Sequence, residues 1–178
     1  MSALPSETGS RQDSLYAEAA ATYGAALERL ARAYERDTDR RLDLLQEVHM
    51  ALWRSFASFD GRCSLRTWVY RVAHNVATSL VSRRRSRAPT LVGLDELESQ
   101  PDAVDHEQVL HDRLALDRMM TLIQRLVPLD REVILLYLEG LDAASIADVT
   151  GITAGNVATK VHRVKKILAR RSQEARHD

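Results

Sequence analysis

Apolar residues recur along this chain at three- and four-residue steps, and no period-two runs are evident, so the elements it predicts are helices. The clearest pair lies between Asp43 and Arg87. In its first helix Leu45, Val48, Leu52 and Phe56 form the apolar stripe, with Leu44 and Trp53 alongside. Asp60-Gly61 supplies a turn. Ser64 is placed to cap the second helix, whose expected buried stripe is Leu65, Trp68, Val69, Val72, Val76 and Leu80. That assignment leaves Arg66, Tyr70, Arg71, His74 and Asn75 on other faces, and the helix runs into Arg83, Arg84, Arg85 and Arg87. Aromatics, amide donors and a cationic end suit a nucleic-acid surface. The same residues also read as a packed helical hairpin with a solvated basic end.

The flanking segments follow in order. Met1 to Ser14 is polar and reads as a mobile tail. From about Leu15 to Arg36, Tyr16, Ala20, Tyr23, Leu27, Leu30 and Tyr34 fit one helix face, and Asp37-Thr38-Asp39 reads as a turn that caps the next helix. Ala88 to Asp112 is different in kind. Pro89 and Pro101 break helix, and Asp95, Glu96, Glu98, Asp102, Asp105, Glu107 and Asp112 bring negative charge with no Lys or Arg among them. The expectation is a flexible acidic linker.

A second helical domain begins near Arg113. Leu114, Leu116, Met119, Met120, Leu122, Ile123 and Leu126 write a helix that Pro128 closes, and Leu129 to Leu138 writes the next, with Val133, Leu136 and Tyr137 inside. Gly140 stops it; Asp142 caps a short helix holding Ile146 and Val149; Gly151 stops that one. Thr153 caps a last helix, Ala154 to about Arg171. A short helix, a Gly turn and a capped longer helix have the spacing of a helix-turn-helix, with Ile146, Ile152 and Val157 at the crossing. With Val157, Val161, Val164 and Leu168 inward, Thr159, Lys160, His162, Arg163, Lys165 and Lys166 are left outward, a set able to enter a major groove. A three-helix bundle with a solvated basic helix is the plainer reading.

Totals then narrow the picture. The 178 residues are 45% hydrophobic and 28% charged, which suits a globular chain of one or two small domains. Net charge is zero, yet the bases gather at the ends of two segments and the acids between them, so distribution outweighs the sum. The single cysteine, Cys63, excludes an internal disulfide and a cysteine-based zinc site. None of the six histidines pairs with a carboxylate in a ligand pattern, so neither catalysis nor a metal or other cofactor is expected. No apolar run is long enough to cross a bilayer and no leader is evident, so a cytoplasmic protein without membrane insertion is expected.

Two helical domains, a basic helix on each and an acidic tether between them resemble bacterial sigma-70-type factors of the extracytoplasmic-function (ECF) group, which keep only domains two and four. Asp43-Leu44-Leu45-Gln46-Glu47-Val48 followed by Leu52-Trp53 is similar to the region that grips the polymerase clamp. Arg66-Thr67-Trp68-Val69-Tyr70-Arg71-Val72-Ala73 with Asn75-Val76-Ala77 is similar to the melting and minus-ten region, and Leu129 to Arg171 to the minus-thirty-five reader. The resemblance implies an all-α protein: a tail over 1–14, domain two over 15–87, the linker over 88–112, domain four over 113–172 and a tail over 173–178. It implies core-polymerase contacts at Asp43, Gln46, Glu47 and Trp53. Minus-ten contacts would fall on Arg66, Trp68, Tyr70, Arg71, His74, Asn75, Arg83, Arg84 and Arg85, with Trp53, Trp68 and Tyr70 serving mostly as core or stacking residues. Minus-thirty-five contacts would fall on Thr159, Lys160, His162, Arg163, Lys165 and Lys166. Implied partners are the core RNA polymerase, through its beta-prime clamp and beta flap, promoter DNA, and an anti-sigma factor or alternatively a regulatory kinase.

Two departures stand out. The window Asp39-Arg40-Arg41-Leu42-Asp43 carries arginines where the family often has an acidic run, and Ala158 sits where a basic residue is common. Phosphorylation at Thr38 would restore negative charge beside Arg40 and Arg41. The competing reading is a stand-alone helix-turn-helix regulator, which would have no use for the Trp68/Tyr70/Asn75 helix.

Overall fold

The computed structural model describes residues 7–84 and 119–174. The chain divides into two compact units, residues 1–87 and 88–178. No β-strand forms among the described residues, and the all-α expectation holds.

In the first unit α1 (Glu7–Tyr34), α2 (Thr38–Phe56) and α3 (Leu65–Arg84) each pack on the other two. Leu27, Leu30 and Tyr34 of α1 are buried, as are Leu44, Val48, Leu52 and Phe56 of α2 and Val69, Ala73 and Ala77 of α3. The inner stripe of α2 runs through Leu44; Leu45 lies at its edge, half-buried. Asp37 caps α2 as expected, accepting from the Arg40 amide at 3.0 Å. Ser64 does the same for α3, accepting from the Thr67 amide at 3.0 Å.

Helix α1 corrects the expectation of a tail up to Ser14, because it begins at Glu7. Its early polar residues find partners on α2. The buried Gln12 amide donates to the Trp53 carbonyl at 2.6 Å, and Trp53 Nε1 donates to Asp13 Oδ1 at 2.9 Å. Ala57, just past α2, donates to Arg54 rather than Trp53. Gln12 therefore satisfies one of the carbonyls that a helix end leaves over.

The second correction concerns α3. Of the expected stripe only Val69 is fully buried, whereas Thr67, Tyr70 and His74 are buried with it. Helices α1 and α2 both pack on α3, so little of its circumference faces water and amphipathic residues go inside. His74 keeps this tolerable through a hydrogen bond of 3.2 Å between its Nδ1 and the Tyr34 hydroxyl. Its Nε2 meets no partner among the described residues, and burial holds its pKa down at about 3.

The second unit opens, within the described residues, on a helical stretch at 119–125. Then come α4 (Pro128–Leu138), α5 (Ala143–Thr150) and α6 (Ala154–Glu174), mutually packed. Pro128 sits at the start of α4, where its missing N–H costs nothing. Asp142 caps α5 by accepting from Ser145 at 2.7 Å, Gly151 ends it at φ 76°, and Thr153 caps α6 by accepting from Asn156 at 3.2 Å. Ile123, Leu126, Val133, Leu136, Ile146, Val157, Val164 and Ile167 form the core. Tyr137, Ile152 and Val161, expected inside, are half-buried. The expected acidic linker at 88–112, the start of domain four at 113–118 and the Leu168 side chain lie outside the described residues.

Candidate functional site

Because Leu44, Val48 and Leu52 fix the inward face of α2, the residues between them turn outward. Asp43, Gln46, Glu47 and Trp53 are all exposed along one side of this helix, and Leu42 is 59% exposed beside them. The four expected core-polymerase contacts thus share an acidic face with two apolar points. Trp53 is 43% exposed, and its indole is oriented by Asp13. Thr38, the first residue of α2, is exposed, and its hydroxyl accepts from Arg41 Nη2 at 3.5 Å.

The expected minus-ten residues separate into two groups. Asn75 and Arg83 are exposed, and Arg66 and Arg71 are half-buried. Tyr70 and His74 are 3% and 1% exposed. Their expected contact with DNA is corrected, since both lie within the three-helix core. The Arg66 guanidinium lies 6.0 Å from the centre of the Tyr70 ring, which Tyr23 meets edge-on at 6.1 Å. Trp68 is half-buried; its Nε1 donates to Ser55 Oγ at 2.9 Å and its ring packs on Phe59. Arg85 and the side chain of Arg84 lie outside the described residues.

On α6, Thr159, His162, Lys165 and Lys166 are exposed. Thr159 donates back to the Gly155 carbonyl at 3.0 Å, and the Lys165 ammonium stands 5.0 Å from the centre of the Tyr137 ring. Arg163 is half-buried. Lys160 departs from the outward set, because its ammonium pairs with Asp130 of α4.

The residues that sequence patterns missed are buried polar ones. Arg131 is 2% exposed and donates to the carbonyls of Ile123 at 3.2 Å and Leu126 at 2.9 Å. It closes the end of the 119–125 segment as a charged cap. The available signal was composition: Pro128-Leu129-Asp130-Arg131-Glu132-Val133-Ile134-Leu135-Leu136 leaves α4 almost no polar face on which to expose a charge pair. Burial pushes the half-buried Glu132 carboxyl up to about 7. Among the described residues no group of His, Cys, Asp or Glu side chains could hold a metal, and no helix is long and apolar enough to cross a membrane.

Comparison with known proteins matches both units. Residues 20–87 fit the family model for sigma-70 region 2, and residues 116–168 fit that for sigma-70 region 4. The chain is 29% identical over 153 residues to the ECF RNA polymerase sigma factor SigX of Bacillus subtilis, covering 80% of this chain and 76% of that one. It is 27% identical over 177 residues to the RNA polymerase sigma factor CnrH of Cupriavidus metallidurans, covering 93% and 91%. The fold is similar to that of CnrH solved in complex with the cytosolic domain of CnrY, with a TM-score of 0.66, 21% identity and 94% of each chain covered. Two sigma regions in one chain, in this order and with relatives of this group along most of its length, make the assignment: the chain belongs to the sigma-70 family, within its ECF group.

Proposed function

We propose that this protein is an RNA polymerase sigma factor of the ECF type. It binds core polymerase, directs it to specific promoters and helps melt the minus-ten region. The observation that carries this reading is the occurrence of both sigma regions in one chain whose relatives are ECF sigma factors. Such proteins are initiation factors and perform no chemistry of their own. The acidic outer face of α2, with Asp43, Gln46, Glu47 and Trp53, docks on the beta-prime clamp. Asn75, Arg66, Arg71 and Arg83, continuing to Arg84 and Arg85, meet the minus-ten strand, with Trp68 shaping that surface from its half-buried position. Thr159, His162, Arg163, Lys165 and Lys166 of α6 serve the minus-thirty-five element, where phosphate contacts set affinity and base contacts set preference.

Residues 15–87 form sigma domain two and residues 113–172 sigma domain four, joined by the acidic segment 88–112. That segment threads the cationic RNA path of the polymerase, and domain four meets the beta flap. The protein acts in the bacterial cytoplasm. An anti-sigma protein holds it off; the solved complex of CnrH with CnrY supports a protein partner of that kind. A kinase acting on Thr38 is the alternative control, supported by the exposed hydroxyl beside Arg41.

The test is transcription by purified core polymerase, with and without this protein, from the promoter upstream of its own operon. A sharp start site that needs the protein is expected; no change in start site overturns the reading. Raised core affinity in Thr38→Glu and Arg41→Glu would support control by phosphorylation, and no gain in either would end that alternative.

A further inference from the structure

We infer that Asp130 is a positioning residue for the promoter-contacting helix, and that Lys160 serves this tie instead of a DNA phosphate. The inference rests on the proposed role of α6 and adds which of its cations reach DNA. Asp130 lies in the first turn of α4 and is 4% exposed. A carboxylate buried to that extent needs a counter-charge or hydrogen bonds. The Lys160 ammonium supplies one, on a side chain only 28% exposed.

Sequence position explains why this lysine differs from its neighbours. Lys160 follows Val157 by three residues and precedes Val164 by four, and both valines are buried. It therefore stands in the inward stripe of α6, whereas Thr159, His162 and Lys166 stand on the outer face. The next residue of α4, Arg131, is fixed to the carbonyls of Ile123 and Leu126. Adjacent positions of α4 thus tie it to the preceding segment on one side and to α6 on the other. A buried charge pair of this kind fixes orientation more than it adds stability, and a helix that reads base edges depends on orientation.

The consequence is electrostatic. Each cation that neutralises a DNA phosphate steepens the dependence of log affinity on log salt by about 0.9. Lys160, held by Asp130, contributes nothing to that slope in the native protein. Asp130→Asn releases the ammonium, so DNA binding gains an unselective contact while α6 loses its register.

The experiment uses holoenzyme assembled from the full chain and core polymerase. Anisotropy is read on duplexes with intact or scrambled minus-thirty-five elements across a salt series. Lys160→Met alone is expected to leave the slope unchanged. Asp130→Asn is expected to steepen it by about one, an extra loss of about fourfold between 50 and 200 mM salt, and to narrow the preference for the intact element. The double variant Asp130→Asn/Lys160→Met, which replaces the ion pair by a neutral pair, is expected to return the slope to the native value. A slope flattened by about one in Lys160→Met, or unchanged in Asp130→Asn, overturns the inference while leaving the sigma-factor reading intact. A native holoenzyme blind to the minus-thirty-five element overturns both.

Discussion

Helices α3 and α6 carry the two cationic surfaces, yet they bury their side chains by different rules. Helix α6 leans on α4 and α5, and its valines at 157 and 164 face inward while Thr159, His162 and Lys166 face water. Helix α3 is packed by both α1 and α2 and takes Thr67, Tyr70 and His74 inside beside Val69 and Ala73. A helix wetted along a broad face must sort its residues by polarity. A helix held between two others must instead find a hydrogen-bond partner for each polar group it hides. The buried polar groups also differ in charge: a neutral Tyr34–His74 pair in the first unit, the Asp130–Lys160 and Arg131 ties in the second.

The largest expected effect tests whether both cores are equally close-packed. Leu52→Ala in the first unit and Leu136→Ala in the second each remove a fully buried side chain, and each should cost about 2–5 kcal/mol. Both tryptophans, Trp53 and Trp68, lie in the first unit, so their fluorescence during urea unfolding follows that unit alone. Amide hydrogen exchange reports on α4 to α6. Costs below about 1 kcal/mol would mean that the affected core closes over the gap.

Next in size is the response to acid, where the two units should move in opposite directions. The pKa of His74 falls from its ordinary 6.5 to about 3 on folding. The unfolded chain therefore binds the proton first, and the stability this gives is complete above about pH 6.5 and lost as pH falls toward 3. The expected slope is about 1.4 kcal/mol per pH unit in that window. His74→Phe should remove it from the tryptophan-monitored transition. Glu132 has the reverse sign. Its pKa rises from 4.5 to about 7 on folding, so its contribution is complete below about pH 4.5 and lost as pH rises toward 7. Its carboxyl is only half-buried, so the slope should be under about 1 kcal/mol per pH unit. Glu132→Gln should flatten it in the exchange rates of α4. A shared pH response of the two units would break the comparison.

These contrasts also explain what the sequence could disclose. Helix existence, the caps at Asp37, Ser64, Asp142 and Thr153, and the stops at Gly140 and Gly151 were readable, because each rests on a local rule about a few neighbouring residues. The outward placement of Asp43, Gln46 and Glu47 was readable for the same reason, since a single inward stripe fixes where the rest of α2 points. The start of α1 was hidden, because Gln12 and Asp13 look like tail residues until Trp53 supplies their partners. The depth of His74 was hidden as well, because it depends on Tyr34, forty residues upstream. Lys160 failed for a third reason: its spacing put it with the valines, and its charge argued for water. Contacts between distant segments decided all three cases.

The smallest expected effect is the most discriminating, because it sets two readable features against each other. Ser64 and Asp142 both cap helices through a backbone amide three residues on, and replacing either by Ala should cost about 1 kcal/mol. Ser64 and Asp142 are both exposed, so water can reach the amide that either loss uncovers. The Ser64 hydroxyl also meets the Thr67 hydroxyl at 2.9 Å, and Thr67 is buried. Ser64→Ala therefore also takes the partner from the hydroxyl of a buried residue, which adds roughly another 1 kcal/mol. Ser64→Ala/Thr67→Val removes both hydroxyls at nearly constant shape and should recover most of that excess. Equal costs for Ser64→Ala and Asp142→Ala, with no recovery in the double variant, would show that the interior of the first unit tolerates an unpaired hydroxyl, and the rule drawn from α3 would fail.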